Sequence, residues 1–199
     1  MTSSVTASFA AFCVDTGVNP DVFKHVVAEA YGASGQEGMI ARVERGAVSP
    51  RAFERWLANH LSEGLPQPLS SRGLRRRLFA KMERDDRMAR AVDLLHDHDV
   101  ATGLISNTWG APTLVRRREL SRRFDVVIRS DEVRLRKPQP EIYLLAAARL
   151  GVSPSECVFV DDLLQNVEGA RAVGMEAFVH RSAEFTIPKL EGLFCVSLG

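Results

Sequence analysis

Short apolar runs alternate with amphipathic stretches in the second half of the chain, while the first half shows amphipathic stretches alone. The runs Asp99–Ser106, Phe124–Arg129, Cys157–Asp161 and Glu176–His180 predict strands near 100–105, 124–129, 157–161 and 176–180. Nearly continuous apolar runs of this length suit strands buried on both faces of a parallel sheet. Between them, Pro140–Leu150 opens on Pro-Glu, stops at Gly151 and places Leu144, Leu145, Ala148 and Leu150 at helical spacing. Asn166–Val173, closed by Gly174, predicts a second helix. Strand-helix alternation with short connections implies right-handed crossovers and an α/β, doubly wound parallel sheet. In such sheets the ligand site lies at the carboxyl ends of the strands.

The first half reads as helices and turns. Asp21–Ala30 carries Val22, Val26 and Ala30 on one stripe, with Phe23 and Val27 beside it. Ser49 is a cap for a helix opened by Pro50, whose apolar face is Phe53, Trp56 and Leu57. Residues 63–71 predict a loop, and Arg87–His98 a further helix with Met88, Ala91, Val92, Leu94 and Leu95 inward. The pattern divides the chain into a helical unit at 1–85 and an α/β core at 86–199.

Composition narrows the function classes. The 199 residues carry 26 Lys+Arg against 25 Asp+Glu, a net charge of +1, which argues against a basic nucleic-acid module and against an acidic disordered chain. The arginine runs at 75–77, 116–118 and 122–123 are read as solvated helix faces, since only Lys24, Lys81, Lys137 and Lys189 are lysines and acids balance the rest. No apolar run approaches the ~20 residues of a membrane span, and Phe9–Val14 lacks the basic lead and the length of a secretory signal. The three cysteines, Cys13, Cys157 and Cys195, form no metal or disulfide spacing and point to a reducing cytoplasm, with Cys13 and Cys157 as core residues. His96 and His98 sit two apart on a helix, face different sides and make poor metal partners.

Candidate chemistry gathers at the strand ends. The first strand stops at Ser106-Asn107, a loop after the second holds Arg136-Lys137-Pro138, and the third stops at Asp161-Asp162. Adjacent carboxylates repel unless a cation joins them, and they suit a hard divalent ion such as Mg²⁺. A lysine offsets charge on a phosphoryl group, and a hydroxyl and an amide hydrogen-bond its oxygens. Taken singly, Ser-Asn after a strand is an ordinary turn and Lys-Pro an ordinary loop. Trp56 fits the interior of the helical unit, and Trp109, just past Ser106-Asn107, a pocket wall against substrate.

Gly103-Leu-Ile-Ser-Asn-Thr108, Leu135-Arg-Lys-Pro-Gln-Pro-Glu-Ile-Tyr143 and Val158-Phe-Val-Asp-Asp-Leu-Leu-Gln-Asn-Val-Glu-Gly-Ala-Arg-Ala-Val-Gly174, in that order, closely resemble the haloacid dehalogenase-like hydrolases. The nearest likeness is to the subgroup with a small helical cap, which includes the phosphatase-like domain of epoxide hydrolases. Ser8-Phe-Ala-Ala-Phe-Cys13 and Val48-Ser-Pro-Arg-Ala-Phe-Glu-Arg-Trp56 look like that cap. The resemblance implies a Rossmann-like core, Mg²⁺ dependence and a small phosphorylated metabolite as substrate. Residue by residue, it implies that Ser106 binds phosphoryl oxygens, Asn107 contacts substrate and Lys137 is the catalytic cation. Asp161 and Asp162 would hold the metal, and Asn166 would steady their loop. Arg134 departs from the family pattern, where a small residue often stands; its side chain either narrows the pocket or faces solvent.

The larger departure is at the start. Relatives open with a buried strand ending in Asp, which attacks phosphorus, followed two residues later by a second Asp or a glycine. This chain begins Met1-Thr-Ser-Ser-Val-Thr-Ala-Ser-Phe9, which resembles the segment after that motif. Asp15 is a poor substitute: Gly17 stands two positions on, and Ser8–Val14 suits a helix. The resemblance places the lacking strand centrally, between those ending at Ser106 and Asp161. Its slot is expected to be filled by residues 2–8, by a partner chain such as a second copy, or by closing-up of the two strands. Alternatively, the natural start lies upstream of Met1. The functional expectation is a phosphatase-type scaffold strongly impaired for lack of a nucleophile, or else a non-catalytic phosphate- and metal-binding or interaction protein.

Overall fold

The computed structural model describes residues 5–32, 37–109 and 117–199. Residues 1–4 and Arg116, named above, lie outside them. Helices come first: α1 (Val5–Thr16), α2 (Pro20–Tyr31), α3 (Met39–Glu44), α4 (Pro50–Leu61), α5 (Leu74–Leu78) and α6 (Asp86–Asp97). Then β1 (Gly103–Ser106), α7 (Arg117–Arg123), β2 (Val126–Arg129), α8 (Ser130–Val133), α9 (Pro140–Leu150), β3 (Val158–Asp161), α10 (Leu164–Ala172), β4 (Glu176–Val179) and α11 (Ala183–Phe194) follow.

Local chemistry sets the helix ends. The Asn19 side chain accepts from the Asp21 N–H at 2.8 Å, Ser49 Oγ from Ala52 at 3.2 Å and Asp85 from Met88 at 2.9 Å, so each satisfies a donor that its helix leaves open. Gly151 closes α9 at φ 73°, a left-handed conformation that favours glycine.

Helices α1–α5 pack around one apolar cluster that includes Phe12, Phe23, Ile40, Phe53, Leu57, Leu61 and Leu74. This is the helical cap. The core has a layer on each face of its strands. Side chains alternate along β3 and β4, so Phe159 and Ala177 join α9 and α10 while Val158, Val160 and Phe178 join α6 and α11.

The strands fall where the apolar runs predict them, but as two parallel pairs. β1 lies beside β2 with Gly103 opposite Val126 and Ser106 opposite Arg129; β3 lies beside β4 with Val158 opposite Glu176 and Asp161 opposite Val179. Among the described residues β1 and β3 are not hydrogen-bonded to each other. Each therefore keeps one open edge, and Leu104, Ile105, Val158, Phe159 and Val160 are only half-buried. One apolar layer nonetheless runs under both pairs, since Ile105, Val126 and Ile128 share it with Phe159, Ala177 and Val179. The expected single sheet is thus divided where the resemblance leaves out a central strand.

Candidate functional site

At the carboxyl ends of β1 and β3 a polar network joins three of the sequence motifs. The Lys137 ammonium donates to Asp161 Oδ2 at 2.6 Å, with both side chains nearly buried. The other Asp161 oxygen accepts from Asn166 Nδ2 at 2.8 Å and from the Leu163 N–H at 3.0 Å. Asn107 clamps the Lys137 backbone from the other side: its Nδ2 donates to the Lys137 carbonyl at 3.0 Å, and its Oδ1 accepts the Lys137 N–H at 2.9 Å. Lys137 Nζ also lies 5.7 Å from the centroid of the Phe159 ring, within cation–π range.

The loop is held closely from below. A Cβ placed on Gly169 would stand 2.7 Å from the Pro138 carbonyl oxygen, so only glycine lets α10 approach the Lys137 loop this far. The Tyr143 hydroxyl donates to the Asn166 carbonyl at 2.8 Å, and burial pushes its pKa up.

Four of the predicted residues are brought together by these contacts. Lys137, Asp161, Asn107 and Asn166 form one connected set. Ser106 ends β1 beside Asn107, half-exposed, and Asp162 follows Asp161 with its side chain in solvent. Trp109 is placed differently from a free pocket wall. It lies against Phe9, Phe53 and Phe79 of the cap at centroid distances of 6.3, 5.4 and 5.3 Å. Trp56 stacks on Phe53 inside the cap, Asp15 is exposed on α1, and His96 and His98 are exposed. Arg134 is exposed in a left-handed conformation at the end of α8.

Sequence reasoning missed the residues that tie cap to core. Glu44, at the end of α3 and 3% exposed, accepts from Arg136 Nε at 2.6 Å and from Trp109 Nε1 at 3.1 Å. Burial raises its carboxyl pKa, against the pull of Arg136, Trp109 and Lys137. With the folded pKa above the unfolded one, its contribution to stability is greatest at low pH and declines as pH rises through the folded value. Arg75 donates to the Trp109 carbonyl at 2.7 Å and pairs with Glu54 at 3.3 Å. Tyr31, at the end of α2, feels Glu44, Arg136 and Asp162, and its phenol pKa is raised first by desolvation and then by Glu44. No spacing pattern marks these residues; the partners Glu44 and Arg136 are 92 positions apart.

A parallel α/β core beneath a helical cap, with polar groups gathered at the strand ends, is the architecture of a capped α/β enzyme. The chain belongs to the haloacid dehalogenase-like hydrolases, whose family model matches residues 3–174. It is 27% identical over 186 residues to bifunctional epoxide hydrolase 2 of Sus scrofa, covering 85% of this chain and 33% of that protein. It is 38% identical over 78 residues to the fructose-1-phosphate phosphatase YqaB of Escherichia coli, covering 39% of this chain and 42% of that one. The chain thus spans well under half the length of these two curated relatives. A HAD-family enzyme of Bacteroides thetaiotaomicron, solved with magnesium and inorganic phosphate, shares the fold at a TM-score of 0.57 and 19% identity, over 81% of this chain and 84% of that one.

Proposed function

We propose that this chain carries a phosphatase-type scaffold for a small phosphorylated metabolite, and that these 199 residues by themselves are strongly impaired in hydrolysis, since none of them stands as the attacking aspartate of the family's first motif. The observation that carries the reading is the Lys137–Asp161 contact at 2.6 Å, braced by Asn107 and Asn166 at the strand ends. Lys137 supplies a fixed cation for phosphoryl oxygens, while Ser106 and Asn107 offer a hydroxyl and an amide beside it. Similarity to a fructose-1-phosphate phosphatase supports the substrate class.

The donors suit Mg²⁺, which takes one or two carboxylates and completes its shell with water and substrate oxygens. Asp161 and Asp162 would hold it, and Asn166 Oδ1 is a buried oxygen without a partner among the described residues. Those residues contain no group of three acidic, His or Cys side chains able to form a closed cage. Asp161 also already accepts three hydrogen bonds. The fit is to an ion held by two carboxylates and by the substrate itself. When bound, it would neutralise phosphoryl charge.

Calorimetry with inorganic phosphate tests the site. The native chain is expected to bind phosphate saturably, more tightly with Mg²⁺ present, and Lys137→Met to weaken binding on the order of tenfold to a hundredfold, the worth of a charge-assisted hydrogen bond. Equal affinity in the variant, or no binding by the native chain, overturns the reading. The second reading is a non-catalytic phosphate- and metal-binding or interaction protein, and turnover separates the two.

A second copy of the chain is our candidate for the open edges of β1 and β3, whose half-buried apolar residues favour cover. Sedimentation at micromolar concentration is expected to give twice the 22.0 kDa chain mass, and a stable monomer refutes it. The same proposal divides the chain into a cap at 1–85 and a core at 86–199, and takes no nucleic acid as partner. Among the described residues no helix is long and apolar enough to cross a membrane. The free thiols of Cys13, Cys157 and Cys195 suit a reducing compartment, and the proposal places the protein in the cytoplasm.

A further inference from the structure

Glu44 is a cap side chain that hydrogen-bonds both loops of the candidate site, one through each of its carboxylate oxygens. Oε2 accepts from Arg136, the residue directly before Lys137, and Oε1 accepts from Trp109, two residues past Asn107. Those loops are themselves locked together by the reciprocal Asn107–Lys137 pair. Arg136 is further constrained by its own turn, in which its N–H donates to Gln139 Oε1 at 3.0 Å and its carbonyl accepts the Gln139 N–H at 2.8 Å. With its backbone held in this turn, Arg136 presents its side chain to Glu44 immediately beside Lys137. The side chain of Glu44 is 4% exposed and that of Arg136 18%, so water replaces neither partner cheaply.

We propose that Glu44 is a positioning residue: from the cap it holds Arg136 and Trp109, fixes Lys137 against Asn107, and so couples anion binding at Lys137 to the seating of the cap. The proposal rests on the phosphate-site reading for its binding half alone. Its structural half concerns the Lys137 loop and stands apart from any ligand. A single carboxylate shared by two loops makes the cap part of the site without its contacting the anion.

The test uses the full chain with two readouts, calorimetry with inorganic phosphate and residue-resolved amide exchange. The Lys137 N–H, which donates to Asn107 Oδ1, is the reporter, because local opening of the loop sets its protection. Glu44→Gln and Arg136→Met are each expected to weaken phosphate binding by about 5–150-fold, the usual span of coupling between sites. The double variant is expected to be no weaker than the worse single one, since both act through one contact. Exchange at Lys137 should quicken in all three. Asp93→Asn, which removes a surface partner of Arg123, should change neither readout. Full phosphate affinity in Glu44→Gln with Lys137 protected as before overturns the proposal. A native chain that binds no phosphate sinks the site reading, and exchange then decides the positioning role by itself. Should Glu44→Gln fail to fold, Arg136→Met decides in its place.

Discussion

With excess Mg²⁺ at neutral pH, the 199-residue chain is expected to turn over a generic phosphomonoester on the order of 10⁴–10⁶-fold more slowly than a chain with a working nucleophile. On the proposed reading Lys137, Ser106 and Asn107 would still hold phosphoryl oxygens, but holding the ground state does not lower the barrier. The covalent step needs a carboxylate aimed at phosphorus. Among the site carboxylates, Asp161 is engaged by Lys137, Asn166 and Leu163, and Asp162 is exposed beside it. The comparison is with a chain extended at its N-terminus by an apolar strand ending in aspartate. Robust and equal rates in both, abolished in the shorter one by Asp15→Asn, would make Asp15 the nucleophile, although it lies exposed on α1. Robust turnover indifferent to Asp15 would remove the family mechanism altogether.

Lys137→Met is expected to cost about 3 kcal/mol of folding stability, the lower end of the range for breaking a buried ion pair from one side. Asp161 is left with its charge in a site where its side chain is 5% exposed. The lower end applies because Asn166 and the Leu163 N–H still hydrogen-bond its other oxygen. For a chain of this size the loss corresponds to a fall in Tm of roughly 6–12 °C. Adding Asp161→Asn to the variant removes the stranded charge and should recover much of the loss. A double variant as unstable as the sum of the two singles would show that the pair does not interact.

The site and the fold were legible to different depths. Ser106 and Asp161 could be read because each sits where a short apolar run meets polar residues, and the carboxyl ends of parallel strands must meet at one edge, whereas Lys137, in a loop beyond the second strand, was marked by the Arg-Lys-Pro motif. Helices with strong punctuation, such as Pro140 to Gly151, were equally plain. α11 was not, because Pro188 lies inside it and breaks the expected pattern. α8 is too short, at four residues, to show any period. The division into two strand pairs follows from hydrogen bonds between distant segments, which local pattern does not encode. Glu44 was hidden for the same reason, and Arg136 stood out only as the neighbour of Lys137, because their pairing spans 92 positions. Trp109 was seen as chemically interesting for its place beside Asn107, yet its ring serves the cap interior.

The packing of Trp109 gives the protein an internal optical reporter. The chain has two tryptophans, and both look into the cap. Trp56 lies 4.1 Å from the His60 ring, whereas Trp109 is boxed by phenylalanines and hydrogen-bonded to Glu44. In a Trp56→Phe variant, emission therefore follows the one indole held between the core and the cap. Lifting the cap would wet that indole and shift its spectrum to the red, so steady-state fluorescence can follow cap motion without any attached dye.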